Sequence, residues 1–240
     1  MRNRFHPWLW LATTFLALSN LQAQKPAQKF NDAIKKSEQA AEIVAKLAGL
    51  SDKGISTQLI NASEAIGIFP CHKIDLLLEH AVLCHGSISR HTKNGWSLPA
   101  FYKFSGGGLG RPDPALGDSN AMILLFTDSQ SIDALARSIT FKDEKKARPG
   151  IVGPLTSEQL SGLVNGAHVI AYSLRKNELR GETLGSGFWK GIVLGPDEHV
   201  NQGLFRAKAF EVLSGKDFST VSFPSEIRAF QKALEEHYHR

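Results

Sequence analysis

Six residues able to bind metals or move protons crowd into one stretch, CHKIDLLLEHAVLCHGSISRH: Cys71, His72, His80, Cys84, His85 and His91. Thiolate and imidazole are ordinary zinc ligands, but zinc sites usually space them as C-x2-C or H-x3-H pairs. Neither spacing occurs here, and a Cys beside a His on an extended strand points to the opposite face. Cys71 and Cys84 are the only cysteines in the chain. Their expected role is structural, either as a disulfide or as two buried thiols. No metal or other cofactor is expected.

A second stretch, GWSLPAFYKFSGGGLG (95–110), sets Gly106, Gly107, Gly108 and Gly110 behind a run of aromatic residues. A phosphate-binding P-loop needs a Gly-Lys-Ser/Thr ending, and RPDP follows instead. The dinucleotide fingerprint needs a third glycine where Arg111 stands. The glycines therefore predict a sharp bend where backbones approach closely. Neither a GxSxG elbow nor an HExxH helix is present. Ser97, Ser173, Asp75, Glu79 and Glu182 sit singly in strand-like runs, so no enzyme signature emerges.

The cations form a clearer pattern. KDEKKAR supplies Lys142, Lys145, Lys146 and Arg148, SLRKNELR supplies Arg175, Lys176 and Arg180, and Lys190 lies just beyond. These eight are the candidate contacts to an anionic partner, although Asp143, Glu144, Glu178 and Glu182 are interleaved with them. Phe188 and Trp189, beside Lys190, have the composition of an interfacial loop tip.

The elements that must position these residues follow from periodicity. Residues 27–48 place Phe30, Ile34, Ala41, Val44 and Leu47 at helical spacing, which predicts an amphipathic helix ended by Gly49. A short helix is expected at 57–65. From Ile66 onward the pattern changes to short apolar runs bounded by Gly, Pro, Asn or Asp, which predict a mostly antiparallel sheet. One helix, capped by Asp128, interrupts the strands. A last helix, capped by Ser225, carries Ile227, Phe230, Leu234 and Tyr238 on one face. In WSLPAF, alternation predicts a strand with Trp96 buried.

Residues 1–23 differ from the rest: Arg2 and Arg4 precede the eleven-residue run WLWLATTFLAL and a polar stretch ending on Ala23. This reads as a cleavable signal peptide, because the run is far shorter than the roughly 20 residues that span a bilayer. Cleavage near Ala23 removes both arginines and lowers the net charge from +5 to +3. Such mild basicity predicts no nucleic-acid partner.

Read in order, AIGIFP (65–70), NGWSLPAF (94–101), the GGGLG glycines, NAMILLF (120–126), VGP (152–154), VIAYS (169–173) and LRGETLGSG (179–187) resemble the SYLF domain family, and the series continues to Asn201 and Phe205. The resemblance covers roughly residues 50–210. It implies a non-enzymatic β-rich domain that binds membrane lipid, phosphoinositides in some members, and in eukaryotic members associates with actin. The chain departs from the family at HAVLCHGSIS, where only Gly86 remains of a glycine-rich strand pair, and at the inserted RPDPALG. The headgroup is therefore not carried over.

The resulting expectation is an α+β protein: a mostly antiparallel sheet or partly closed barrel, flanked by an N-terminal amphipathic helix and a C-terminal helix. Its parts are a leader (1–23), a helix and linker (24–54), the SYLF-like domain (55–210) and a helical extension (211–240). The expected function is lipid binding at the periplasmic or secreted side of a membrane, with anionic lipid as partner. The alternative is a structural module of the same fold whose partner is another protein.

Overall fold

The computed structural model describes residues 11–75, 79–109, 119–142, 147–185 and 191–238. Helix α1 (Leu11–Ala48) begins well before the predicted 27–48 stretch, and the expected mature start at Gln24 falls inside it. Its buried stripe is Ala33, Ser37, Ala40, Ile43, Val44 and Leu47. Val44 and Leu47 of the predicted stripe are buried as expected, while Phe30, Ile34 and Ala41 are only partly covered, Phe30 and Ile34 packing against the barrel core. Small side chains at Ala33, Ser37 and Ala40 let another helix approach closely, and that helix is the last one of the chain.

The described strands form one sheet. They are β1 (Ala65–Asp75), β2 (Glu79–Thr92), β3 (Gly95–Trp96), β4 (Ala100–Leu109), β5 (Ser119–Phe126), β6 (Ile139–Phe141), β7 (Ala147–Pro149), β8 (Val169–Arg175), β9 (Glu178–Gly181) and β10 (Ile192–Pro196). The order is β6-β10-β4-β2-β1-β5-β8-β7, with β3 beside β2 and β9 beside β8. All described pairings are antiparallel except β7 with β8. Strands β6 and β7 stand at opposite ends of this order, yet only residues 142–146 separate them. Six residue steps reach at most about 20 Å. The two edges are thereby drawn together, and the sheet is a nearly closed barrel.

Side chains fill its inside. Phe69, Phe104 and Phe141 come from β1, β4 and β6, with ring centroids 5.8 Å apart for the first pair and 6.3 Å for the second. Cys84, Ile88, Tyr102, Met122, Leu124, Phe126, Ala171, Ile192 and Leu194 complete this core. On the outer face of β1, β5 and β8, Ile66, Ile68, Ile123, Leu125, Ile170, Tyr172 and Leu174 are buried as well. Strands covered on both faces read as continuous apolar runs, which is why NAMILLF and VIAYS do not alternate.

The outer cover is helical: α1, α2 (Thr57–Ala62), α3 (Ser129–Ala134), α4 (Ser157–Gly166), α5 (Glu198–Phe205), α6 (Ala209–Leu213) and α7 (Ala229–His237). Asp128 caps α3 as expected, accepting from Ser131 N at 2.7 Å. Ser225 is not a cap. It lies inside a 3-10 turn, Ser225–Arg228, and donates its hydroxyl to Glu226. The predicted apolar face of α7 is correct, with Ile227, Phe230, Leu234 and Tyr238 all buried. Ser37 joins α7 to α1, donating to Ile227 O at 2.7 Å and accepting from Phe230 N at 3.2 Å.

Three local expectations are corrected. Trp96 to Ala100 are all buried and do not alternate, because Pro99 separates β3 from β4 and removes a ladder donor. Gly106, Gly107 and Gly108 lie within β4 opposite Val82, Ala81 and His80, so they form strand and not a bend. Close backbone approach occurs instead at Gly86, where an added Cβ would stand 2.0 Å from Ile68 O. The two cysteines, paired in register across β1 and β2, are joined as a disulfide with Cα atoms 4.1 Å apart.

Where β10 parts from β4 after the pair Pro196↔Tyr102, a side chain continues the ladder. Asn201 Oδ1 accepts from Phe101 N at 2.8 Å, and its Nδ2 donates to Phe101 O at 2.9 Å and to Asp197 O at 3.0 Å. Asn201 is fully buried. Asn201→Ala should lower stability by about 2 kcal/mol, the penalty of an unpaired buried amide at Phe101. Urea denaturation measures this, and an unchanged midpoint would remove Asn201 from its assigned part in the ladder.

Candidate functional site

The eight predicted cations separate into groups. Lys145, Lys146 and Lys190 lie outside the described residues, as do Phe188 and Trp189. Arg175 is engaged: its Nη2 donates to Glu182 Oε1 at 3.1 Å, and both side chains are largely shielded, at 14% and 13% exposure. The Ser173 hydroxyl donates to the same carboxylate oxygen. That carboxylate oxygen is thus shared by the Arg175 guanidinium and the Ser173 hydroxyl. Arg180 is forked onto Glu178 at 2.9 and 3.0 Å. Lys176 takes a left-handed conformation, φ 54°, in the β8–β9 turn. Lys142 and Arg148 are exposed, one just after β6 and one on β7, and so flank the seam where the barrel edges meet.

Next to Arg148 the chain exposes apolar side chains. Ile151 and Val152 are adjacent and partly open to solvent, each 37% exposed; of the large hydrophobic residues described, only Phe210, at 46%, is more so. Their backbone is nonetheless fixed. Gly150 N donates to Ala171 O at 3.1 Å, Gly153 N to Gly54 O at 2.9 Å, and the Tyr172 hydroxyl to Ile151 O at 3.0 Å. A loop held at three points while two aliphatic side chains face water is a preorganised contact surface. Sequence reasoning placed VGP (152–154) only as a family marker and passed over Ile151 just before it.

A cleft of about 210 Å³ opens elsewhere, on the outer face of β2 and β4 between α1 and the start of α5. His85 and Lys103 face each other across the β2–β4 ladder. Helix α1 brings Lys36 over them, and Asp197 follows directly on β10. Lys36 Nζ donates to His85 Nδ1 at 3.0 Å, which requires an uncharged imidazole with its proton on Nε2. Lys103 Nζ donates to Asp197 Oδ2 at 3.0 Å. Burial, opposed by the fields of Asp32 and Asp197, pushes the Lys36 ammonium below its ordinary value. Burial and then the neighbouring Lys36 push His85 in the same direction.

Sequence reasoning missed this cleft. It weighed His85 only as a metal ligand and α1 only as packing, and the Lys36–His85 contact spans 49 positions. Of the other members of the histidine-cysteine stretch, the His72 and His80 side chains lie outside what the structure describes. The disulfide removes both thiolates as ligands, and the His91 ring lies 3.5 Å from that of Trp96.

No protein-family profile, no curated protein and no solved structure matches the chain.

Proposed function

We propose that this protein is a non-enzymatic module that binds anionic membrane lipid, peripheral to the membrane and carried to the periplasmic or secreted side by the leader in residues 1–23. The observation that carries the reading is the fixed loop presenting Ile151 and Val152 beside Arg148 and near Lys142. Aliphatic side chains next to cations suit the boundary between acyl chains and anionic headgroups. The filled barrel interior supports contact through the outer surface and not by enclosure of an acyl chain. The order of SYLF-like motifs points the same way.

Each cation near an anionic surface contributes on the order of 1 kcal/mol, falling off within a Debye length of about 8–10 Å. Replacing Lys142 and Arg148 by Gln together should weaken binding to phosphatidylglycerol vesicles by about 20- to 30-fold at low salt. Replacing Ile151 and Val152 by Asp should do at least as much while leaving the melting temperature within a few degrees. Co-sedimentation with phosphatidylcholine and phosphatidylglycerol vesicles, at low and high salt, tests both. Equal binding to the two lipids, or none to either, would defeat the proposal.

A second reading, a protein-interaction module of the same fold, is favoured by one observation. Arg175 is committed to Glu182 in a shielded pair and is thereby withdrawn from lipid contact, whereas Arg180 and Glu178 pair at the surface, 55% and 66% exposed. Vesicle binding that is absent altogether would select this reading.

A further inference from the structure

The contact between Lys36 and His85 is an arrangement that proteins seldom keep without a use. Two bases are held 3.0 Å apart at a half-buried position. Among the described residues no carboxylate comes within ion-pair distance of Lys36: Asp32, one turn before it on α1, and then Asp197 act on it only through their fields, and Asp197 is also held by Lys103. Withdrawing an ammonium from water without a partner is unfavourable, and a neighbouring base deepens the penalty. An anion seated beside the pair, within reach of both, would reverse both effects.

We propose that this cleft is a binding site for a single phosphate group, carried on a lipid headgroup or free in solution. Lys36, His85 and Lys103 reach it from α1, β2 and β4, three directions that match the several oxygens of a tetrahedral anion better than the two of a carboxylate. At about 210 Å³ the cleft is smaller than the roughly 300–1,000 Å³ of drug-sized pockets, which restricts it to a small group. Asp32 at the opening and Asp197 within the lining limit the charge it accepts. The site is separate from the Ile151–Val152 loop and does not depend on the membrane reading.

Binding is coupled to a proton. In the free protein His85 is uncharged and accepts from Lys36; with an anion beside it, the imidazolium is the favoured form. The other titratable groups around it are Lys36 and Asp32 of α1, Lys103 of β4, and Asp197 and His199 at the start of α5. Affinity therefore rises as pH falls through the histidine range, and His85→Asn separates the contribution of His85 from that of His199.

Calorimetric titration of the full chain with inorganic phosphate and with sulfate tests the proposal. Sulfate keeps its charge throughout, so its pH dependence reports the protein alone. Sulfate affinity should rise about tenfold between about pH 7.5 and about pH 5.5, and His85→Asn should flatten that profile. Lys36→Gln, and as a second variant Lys103→Gln at the exposed rim, should each weaken phosphate binding about tenfold or more with the fold intact by circular dichroism. The Lys142→Gln, Arg148→Gln double variant should bind phosphate normally, which keeps failure at this cleft distinct from failure of the membrane contact. Phosphatidic acid vesicles distinguish the sources: if Lys36→Gln also weakens vesicle binding the phosphate is a headgroup, and if only the soluble ions are affected it is free. Phosphate and sulfate that fail to bind, with vesicle binding indifferent to Lys36→Gln and Lys103→Gln, would overturn the proposal. So would soluble binding unchanged in both variants.

Discussion

Trp96→Ala should destabilise the protein by about 3–5 kcal/mol, the range for truncating a large buried side chain. Trp96 is 3% exposed, and its ring is covered by the His91 imidazole. Its Nε1 donates to Tyr238 O at 3.0 Å, while its own carbonyl accepts from Gln231 Nε2 at 2.8 Å. The residue therefore fastens α7 to the sheet as well as filling space. For a domain of this size, the melting temperature should fall by roughly 6–20 °C. Trp96→Phe keeps most of the ring volume but loses the indole donor, leaving the Tyr238 carbonyl unpaired, and should cost only about 1–2 kcal/mol. Thermal unfolding of the two variants separates packing from hydrogen bonding. Equal losses would mean that the indole donor contributes everything, and an unchanged Trp96→Ala protein would mean that α7 is held by other contacts.

Removing the Cys71–Cys84 disulfide should cost about 3 kcal/mol, because the bridge closes a short loop, with a sequence separation of 13, in the unfolded chain. The β1–β2 ladder persists on both sides of the bridge, from Ala65↔Arg90 to Asp75↔His80, so the reduced protein should keep its fold. The expected drop in melting temperature is roughly 6–12 °C. Comparing oxidised protein with the Cys71→Ala, Cys84→Ala double variant measures it. Coincident melting curves would show that the ladder alone sets stability there.

Much of the architecture was readable in the chain. Helices α1 and α7 and the Asp128 cap follow from periodicity and capping chemistry, and the α+β class with its mostly antiparallel sheet follows from the change of period at Ile66. Helix α4 was also written locally and overlooked: Thr156 Oγ1 accepts from Gln159 N at 3.2 Å, and Gln159 Oε1 accepts from Thr156 N at 2.9 Å, a capping box spelled TSEQ. Other features depend on neighbours distant in sequence. Which residues of α1 are fully buried is decided by α7, so Ala33 and Ser37 join Val44 and Leu47 in the interior while Phe30 and Ile34 pack on the core only partly covered. The cations were legible as a composition but not as a site, since only the fold shows that Arg175 is shielded against Glu182 while Lys142, Arg148 and Arg180 stand at the surface. The cleft joins α1, β2, β4 and the start of α5, and no local pattern marks such a meeting.

The clamps at Trp96 and Ser37 also bear on how the chain is made. They connect residues 142 and 190 positions apart, so the first helix and the last complete one another. Contacts of such separation form late and slow the search for the native state. On the ribosome, α1 waits without its packing partner until Tyr238 has emerged, and the barrel cannot lock while synthesis continues. Under the export proposed above for the leader in residues 1–23, that delay would be a benefit: the polypeptide would stay unfolded long enough to thread a translocation channel and would complete its fold on the far side, where the cysteines can oxidise.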